Sequence, residues 1–413
     1  MTGDDSAKVV IDGGSFVERL VCHARLPLIA GLDSARPAVH EWEFGPTGLR
    51  ALDIIDPDVD AYPAEPWKRF GLEPSVAWHP HEPRLVVTGE AGLRQWTPDG
   101  LSVVARAKYR DVAFSPDGTT LWASPSSLAN DDDEGDEPGA WERSDALNLA
   151  TGAMRTGSRW DTGVVEHPGG ELVVTLASDQ GATCLLFARP GDGVAAPMRV
   201  FRHAIILDVD GYEAPVFSPD GRFLAIRGNA YVHSLDVFEL PTLRKVLHTT
   251  LTDPSPGYPY PPEWLEEQAR WSHHNITFVR SGALLVGTPK GSVIEIDLDG
   301  ERAVEHGVSD GPVSALAILS TGQLVAADRS GQLAVMSPPG DVPPDSGRTA
   351  RARVEEFIAG TTELPDDADL ETSIVLTDGQ RTWDASDLDQ VTTTDDDDPT
   401  WLRLRAAINA YRG

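Results

Sequence analysis

The chain has few cysteines and no long apolar run. The first shortage argues against a disulfide-stabilised protein and the second against a membrane-spanning one. Its 413 residues include two cysteines, Cys22 and Cys184, which lie far apart in the sequence. A disulfide between them is therefore not expected, both are interpreted as small buried hydrophobic side chains, and a reducing compartment is compatible. No stretch approaches the roughly 18 consecutive apolar residues of a membrane-spanning helix. Residues 1–7 are polar and acidic, unlike a secretory signal, so the sequence predicts a cytoplasmic protein with no membrane partner.

Positive charge is also scarce. Lysine and arginine total 34 against 65 aspartates and glutamates, which gives a net charge of −31, and only five of the 34 are lysines. Such a surface repels the phosphate backbone of nucleic acids and anionic lipid. The composition therefore disfavours nucleic-acid binding and favours high solubility. The preference for arginine, with abundant alanine, aspartate and glycine, is typical of a GC-rich bacterial genome.

A turn motif recurs along the chain. Ser-Pro-Asp-Gly occurs at 115–118 and at 218–221, each time between a short apolar strand and a strand with an apolar or alternating pattern. Proline presets φ, aspartate bonds its own backbone and glycine accepts a positive φ, so the motif predicts a tight turn between two strands. Weaker copies of the strand and turn occur at 20–26, 76–80, 164–170, 276–282 and 316–322.

The copies are spaced like the repeats of one architecture. They are separated by 56, 36, 52, 51, 61 and 40 residues when measured between fixed points of each turn. These points are Ala24, Pro80, Pro116, Pro168, Pro219, Arg280 and Ser320. Propeller blades typically take about 40–50 residues, so the longer steps are predicted to contain insertions. Seven copies predict seven blades.

This arrangement resembles the WD-repeat family of β-propellers over roughly residues 8–340. The Ser-Pro-Asp-Gly turn carries the resemblance. The Gly-His and Trp-Asp dipeptides of the family are mostly missing, since Trp42 and Trp96 stand at the tryptophan position but precede glutamate and threonine. The resemblance implies an all-β, seven-bladed propeller whose N-terminal strand, residues 8–12, completes the last blade and closes the ring. It also implies a non-enzymatic scaffold for protein–protein interaction.

Residues 341–413 are predicted to form a linker and a short α/β C-terminal extension outside the propeller. Residues 337–346 are proline-rich and have the composition of a linker. Apolar residues at helical spacing predict one helix at 350–359 and an amphipathic final helix at 399–411. Residues 374–384 have the pattern of a hairpin. It ends in the best Trp-Asp pair of the chain, which suggests that it pairs with the seventh blade.

No pattern in the sequence indicates catalysis or a bound cofactor. Histidines lie at several of the repeated turns, namely His23, His79, His81 and His167. Serine occupies the same place in the Ser-Pro-Asp-Gly copies, so we interpret the histidines as a turn preference and predict no metal site. No phosphate loop, cysteine pair or nucleophile elbow occurs. The alternative function, from a different class, is a propeller-type hydrolase or lactonase with a metal or polar site in the central channel.

Two acidic runs have the composition of cation sites. Residues 131–137 place carboxylates close together, as calcium loops do, but the EF-hand spacing fails and we interpret the run as a solvated loop. Residues 395–398 precede the final helix, where carboxylates favour the helix N-terminus electrostatically. We prefer that capping role to metal binding.

Aromatic residues are concentrated in or beside four predicted insertions. By the architecture of the family, the insertions at 60–74, 124–140, 203–213 and 251–271 would lie on one face of the propeller. The aromatic residues are Trp67, Phe70, Trp141, Trp160, Tyr212, Tyr258, Tyr260, Trp264 and Trp271. Because tyrosine and tryptophan are enriched among binding hot spots, we predict that this face binds a protein partner with basic residues. The alternative is that the rings pack the insertions onto the propeller. The chain alone is expected to be monomeric.

Overall fold

The fold is an all-β, seven-bladed β-propeller with a short C-terminal extension of helices and two strands, as predicted. The computed structural model describes residues 7–11, 15–69, 71–125, 143–158, 164–179, 182–191, 198–208, 211–228, 233–254, 256–280, 282–338, 346–365, 368–395 and 398–412. The chain divides into two compact units. Residues 1–159 and 256–344 form the first unit, and residues 160–255 and 345–413 form the second.

Each blade is a sheet of antiparallel strands that follow one another along the chain. An N-terminal strand, β1 (Ala7–Val10), precedes them. Blade one contains β2 (Val17–Cys22), β3 (Leu28–Asp33), β4 (Val39–Gly45) and β5 (Gly48–Ile55). Blade two contains β6 (Val76–Trp78), β7 (Leu85–Val87), β8 (Leu93–Thr97) and β9 (Gly100–Ala105). Blade three contains β10 (Asp111–Phe114), β11 (Leu121–Ser124), β12 (Arg143–Leu147) and β13 (Met154–Ser158).

The remaining blades follow the same order. Blade four contains β14 (Val165–Glu166), β15 (Val173–Asp179), β16 (Ala182–Arg189) and β17 (Arg199–Leu207). Blade five contains β18 (Val216–Phe217), β19 (Phe223–Gly228), β20 (Ser234–Glu239) and β21 (Arg244–Thr250). Blade six contains β22 (Ile276–Arg280), β23 (Ala283–Gly287), β24 (Ser292–Asp297) and β25 (Arg302–Gly307). Blade seven contains β26 (Val313–Ile318), β27 (Leu324–Asp328) and β28 (Gln332–Met336).

Blade seven takes its fourth strand from the N-terminus. β1 pairs antiparallel with β28, from Ala7 opposite Val335 to Val10 opposite Gln332. The strand expected from the sequence near residue 8 is therefore present and adds to the last blade. Pairing covers the backbone groups of β28 that would otherwise form an exposed sheet edge.

The Ser-Pro-Asp-Gly turns form for the reasons that their residues suggest. In blade three, Ser115 Oγ donates to Asp117 Oδ1 (2.6 Å) and accepts from the N–H of Thr120 (2.9 Å). Gly118 adopts a φ of 75°, a conformation that glycine reaches without steric cost. The turn at Ser218 repeats these contacts, with Ser218 Oγ donating to Asp220 Oδ1 (2.7 Å). The motif therefore closes the first hairpin of each of these two blades.

The fourth strands differ in burial, and the difference explains where the C-terminal extension lies. β9 and β25 are mostly exposed, as the outer strands of a propeller usually are, whereas β17 is mostly buried. The segment after α3 (Ser346–Ala359) covers the first half of β17, because Arg202 N–H donates to Thr362 O and Leu364 N–H donates to Val200 O, both at 2.8 Å. β29 (Val375–Thr377) pairs in parallel with the second half.

The hairpin at 374–384 therefore does not pair with blade seven, and that expectation was wrong. β29 and β30 (Thr382–Trp383) extend blade four to six strands. Trp383 does not end a blade as a family Trp-Asp would. It packs with Ile206, Leu388 and Trp401 in a cluster of its own, while Asp384 caps the next helix. The fourth strand of blade four is rich in apolar residues, and the hairpin covers it.

Six helices accompany the strands in the described ranges. They are α1 (Pro66–Arg69), α2 (Pro262–Arg270), α3, α4 (Leu370–Ser373), α5 (Ala385–Gln390) and α6 (Thr400–Arg412). The helices predicted at 350–359 and 399–411 are confirmed as α3 and α6. Val354 and Phe357 of α3 enter the largest core cluster of the second unit. Phe357 lies 4.9 Å from the ring of Phe187 and 5.9 Å from that of Phe201.

Candidate functional site

The structure describes five of the nine predicted partner-binding side chains. Phe70, Trp141 and Trp160 lie outside the described residues, and so does the acidic run at 131–137. Trp67 belongs to α1, but its side chain is not among those described. The remaining residues are Tyr212 in the second unit and Tyr258, Tyr260, Trp264 and Trp271 in the first.

Tyr212 packs inward. Its ring lies against the core cluster shared by blades four and five, and a Cβ built on Gly228 would come within 2.1 Å of Tyr212 Cε1. Burial, and then the nearby charge of Asp236, raise the pKa of the Tyr212 hydroxyl well above its usual range, while a hydrogen bond with Ser234 opposes the shift. The residue thus holds its loop against the blade. A contact of Tyr212 with a partner stays a prediction.

Tyr258, Tyr260 and Trp264 form a connected aromatic cluster, which we call the aromatic ladder. The rings of Tyr260 and Trp264 stack at 5.1 Å with an angle of 28° between their planes. The edge of one tyrosine meets the face of the other between Tyr258 and Tyr260, at 6.0 Å and 86°. Trp264 and Tyr260 are half-buried, whereas Tyr258 is 89% exposed. The aromatic ladder therefore begins with the half-buried ring of Trp264 and ends with the solvent-exposed ring of Tyr258.

The helix that carries the ladder is fixed at its C-terminal end. Trp264, Gln268 and Trp271 recur at helical spacing and form the less exposed side of α2 and of the residue that follows it. Arg329, in the turn after β27, donates from Nη1 to Ala269 O (2.7 Å) and from Nη2 to Trp271 O (3.2 Å). These bonds satisfy carbonyl groups at the end of α2 that the helix itself leaves without donors. The arginine thereby ties α2 to blade seven.

The outer side of α2 is acidic and partly apolar. Glu263, Glu266 and Glu267 are exposed, and Glu267 pairs with Arg270 at 3.4 Å. Leu265 is 48% exposed and lies at the edge of this side, next to Gln268 on the helix surface. The tyrosines and tryptophans of this insertion were predicted from the sequence, whereas Leu265 and Arg329 were not. Helical spacing places Leu265 beside Gln268, three residues further on, so it did not indicate that Leu265 is exposed, and no local signal connects Arg329 with α2.

The histidines at the turns make hydrogen bonds that explain their position. His23 Nδ1 accepts from the N–H groups of Arg25 (3.0 Å) and Leu26 (3.1 Å) in its own turn. Its Nε2 lies 2.9 Å from Glu82 O, in the corresponding turn of blade two. A neutral ring with its proton on Nε2 satisfies all three contacts. The histidine therefore closes one turn and joins it to the next blade.

His79 and His167 repeat this arrangement. His79 Nδ1 accepts from the N–H of Glu82 at 3.0 Å, and the ring contacts Gly118 of blade three. His167 Nδ1 accepts from the N–H of Gly169, and its Nε2 donates to Gly221 O, both at 2.9 Å. A Cβ on Gly118 or Gly221 would lie within 2.2 Å of the opposing imidazole, so glycine is required for this approach. Burial lowers the pKa of all three histidines, which keeps the rings neutral.

Among the described residues, nothing indicates a metal site or a membrane-spanning helix. In those ranges no three side chains of histidine, cysteine, aspartate or glutamate are placed to share a metal ion. Asp398 accepts from the N–H of Asp395 (2.9 Å) and pairs with Arg381 (2.8 Å). No described helix is long and apolar enough to cross a membrane.

Comparison with protein-family models and with curated proteins identifies no relative of this chain. No protein-family model matches the sequence, and no curated protein is similar enough to match. The class of this protein is therefore defined by its fold, which is a seven-bladed β-propeller.

Proposed function

We propose that this chain is a WD-repeat-like propeller of bacterial type that acts as a non-enzymatic scaffold for protein–protein interaction. The observation that carries the proposal is the anchored helix α2. Leu265 of α2 and Tyr258, which precedes the helix, are exposed to solvent. Trp264 and Gln268 lie on the less exposed side of α2, and Arg329 holds its C-terminal end. A fixed surface loses little conformational entropy on binding, so its exposed rings can contribute most of their contact energy.

The surface chemistry supports a partner with basic and apolar residues. α2 carries three exposed glutamates and the exposed Leu265, and the exposed ring of Tyr258 can accept both an apolar side chain and the cation of an arginine or lysine. Opposite charge on a partner steers association and selects against acidic proteins. Because the net charge of the chain is −31, a partner with local positive charge is the natural complement.

The test is capture of partners from lysate of the source organism by the tagged protein, compared with Tyr258→Ser/Leu265→Ser. Both side chains are exposed, so the double variant should keep its thermal stability. If each contact contributes about 1 kcal/mol, as a modest hot spot does, the apparent affinity falls about tenfold or more. Capture should also weaken as salt rises, because exposed charge pairs are screened.

The matched control is Leu101→Ser/Val103→Ser. These residues lie on β9 and are 44% and 63% exposed. Their substitution removes exposed apolar side chains from another place in the first unit. The control should capture the partner like the wild type. Equal capture by the wild type and by the α2 variant would refute α2 as the binding surface.

A further inference from the structure

A second exposed helix surface lies on α6, and its chemistry is the opposite of that on α2. Leu404, Ile408 and Tyr411 recur at positions i, i+4 and i+7, and they are 49%, 44% and 93% exposed. Their spacing places them along one stripe of the helix. Arg403 and Arg412 lie beside the stripe and are exposed, and residues 400–412 contain no carboxylate. We call this the basic stripe.

The basic stripe belongs to a helix that is firmly held from its other side. Trp401 and Leu402 are buried in the cluster with Trp383, and Ala406 is also buried. Asn409 Nδ2 donates to Leu388 O (2.7 Å) and to Val391 O (2.8 Å), and Arg405 pairs with Asp389. A helix anchored in this way presents its exposed residues in a fixed arrangement, as a docking helix requires.

The two most exposed large apolar side chains among the described residues are Tyr411 and Tyr258. One stands on the basic stripe and the other on the ladder beside the acidic helix α2. Three glutamates and one arginine occupy α2, whereas α6 carries three arginines and no acid. Each surface therefore has the apolar content and the charge that the other would need in a partner.

We propose that the basic stripe of α6 docks on the α2 surface of a second copy of this chain. The inference rests on the proposed role of α2 in binding and names a partner with the required basic and apolar chemistry. The contact is heterologous, since each copy offers α6 to one neighbour and α2 to another. Two helix surfaces of this length form a small interface, so the chain is a monomer at low concentration and associates as its concentration rises.

The test is sedimentation equilibrium of the full chain over a concentration series at about 0.15 M ionic strength, where the repulsion between two highly acidic molecules is screened beyond roughly 8 Å. The wild type should show a mass that increases with concentration. Arg403→Glu/Arg412→Glu and Glu263→Arg/Glu266→Arg should each remain monomeric. An equimolar mixture of the two variants should associate again, because the unaltered α6 of one variant meets the unaltered α2 of the other, and the two reversed surfaces also have opposite charge.

The control for net charge is Arg50→Glu/Arg302→Glu, which changes the net charge by the same amount as Arg403→Glu/Arg412→Glu, at exposed positions on β5 and β25. It should associate like the wild type. A wild type that stays monomeric throughout the series would overturn the proposal, and so would a mixture that fails to associate or single variants that associate normally. If the wild type stays monomeric throughout the series but still captures a partner from lysate through α2, self-association fails while the proposed function stands.

Discussion

Glu41 should make this protein less stable as the pH rises through neutrality. The residue lies on β4 opposite Ala30 and Asp53, is 1% exposed, and has no hydrogen-bond partner for either carboxyl oxygen within the described part of the chain. Burial first, and then the charge of Asp53, raise its pKa from 4.5 to about 9. The folded chain therefore keeps a proton on Glu41 at neutral pH, whereas the unfolded chain releases it.

The expected magnitude follows from proton linkage. Between about pH 5 and pH 9 the folded state binds one proton more than the unfolded state, so the free energy of unfolding falls by about 1.4 kcal/mol for each pH unit. At about pH 7.5 the free energy of unfolding should therefore be about 4 kcal/mol lower than at about pH 4.5 on account of Glu41. Glu41→Gln has nearly the same shape and cannot titrate. Its stability relative to the wild type should therefore increase with pH at this slope.

The assay is urea unfolding followed by tryptophan fluorescence at several pH values between about 5 and 9, for the wild type, Glu41→Gln and Glu43→Gln. Glu43 is an exposed neighbour paired with Arg50 at 2.5 Å. Its substitution should change stability by less than about 1 kcal/mol, as expected for a surface ion pair. A constant difference between Glu41→Gln and the wild type across this range would refute the assignment of a buried, protonated Glu41.

Two further predictions concern the second unit. His167→Asn keeps an acceptor for the Gly169 N–H but cannot reach Gly221 O, and it should cost about 1–2 kcal/mol at neutral pH. Burial lowers the pKa of His167. The stability that the neutral ring contributes is therefore present above about pH 6.5 and is lost as the pH falls through the folded-state pKa. The variant lacks this group and should lose less stability than the wild type on acidification to about pH 5. Equal acid sensitivity would contradict the neutral link. Phe357→Ala removes the ring that packs on Phe187 and Phe201 and should cost about 3–5 kcal/mol. Limited proteolysis should then cleave residues 346–412 faster than in the wild type, and unchanged cleavage would show that α3 does not hold the extension.

Much of the candidate surface could be predicted from local sequence. The insertion before blade six and its aromatic residues were recognisable from the repeat spacing and the composition. Their separation into an inner and an outer set was not predicted. Trp264 packs inward because it shares a side of α2 with Gln268, whereas Tyr258 precedes the helix and reaches solvent. The turn histidines were recognised as part of the repeat, but their bonds to the next blade depend on contacts between distant residues.

The sequence alone determined the repeated unit, because turn chemistry and strand alternation are properties of a few neighbouring residues. Seven copies of that unit were enough to predict seven blades. Only the tertiary structure decided where the C-terminal extension packs. Blade four has an apolar outer strand, with Phe201, Ile205 and Leu207 buried, and the extension covers it. That outcome depends on contacts between β17 and residues far along the chain, and no local pattern near residue 380 contains this information.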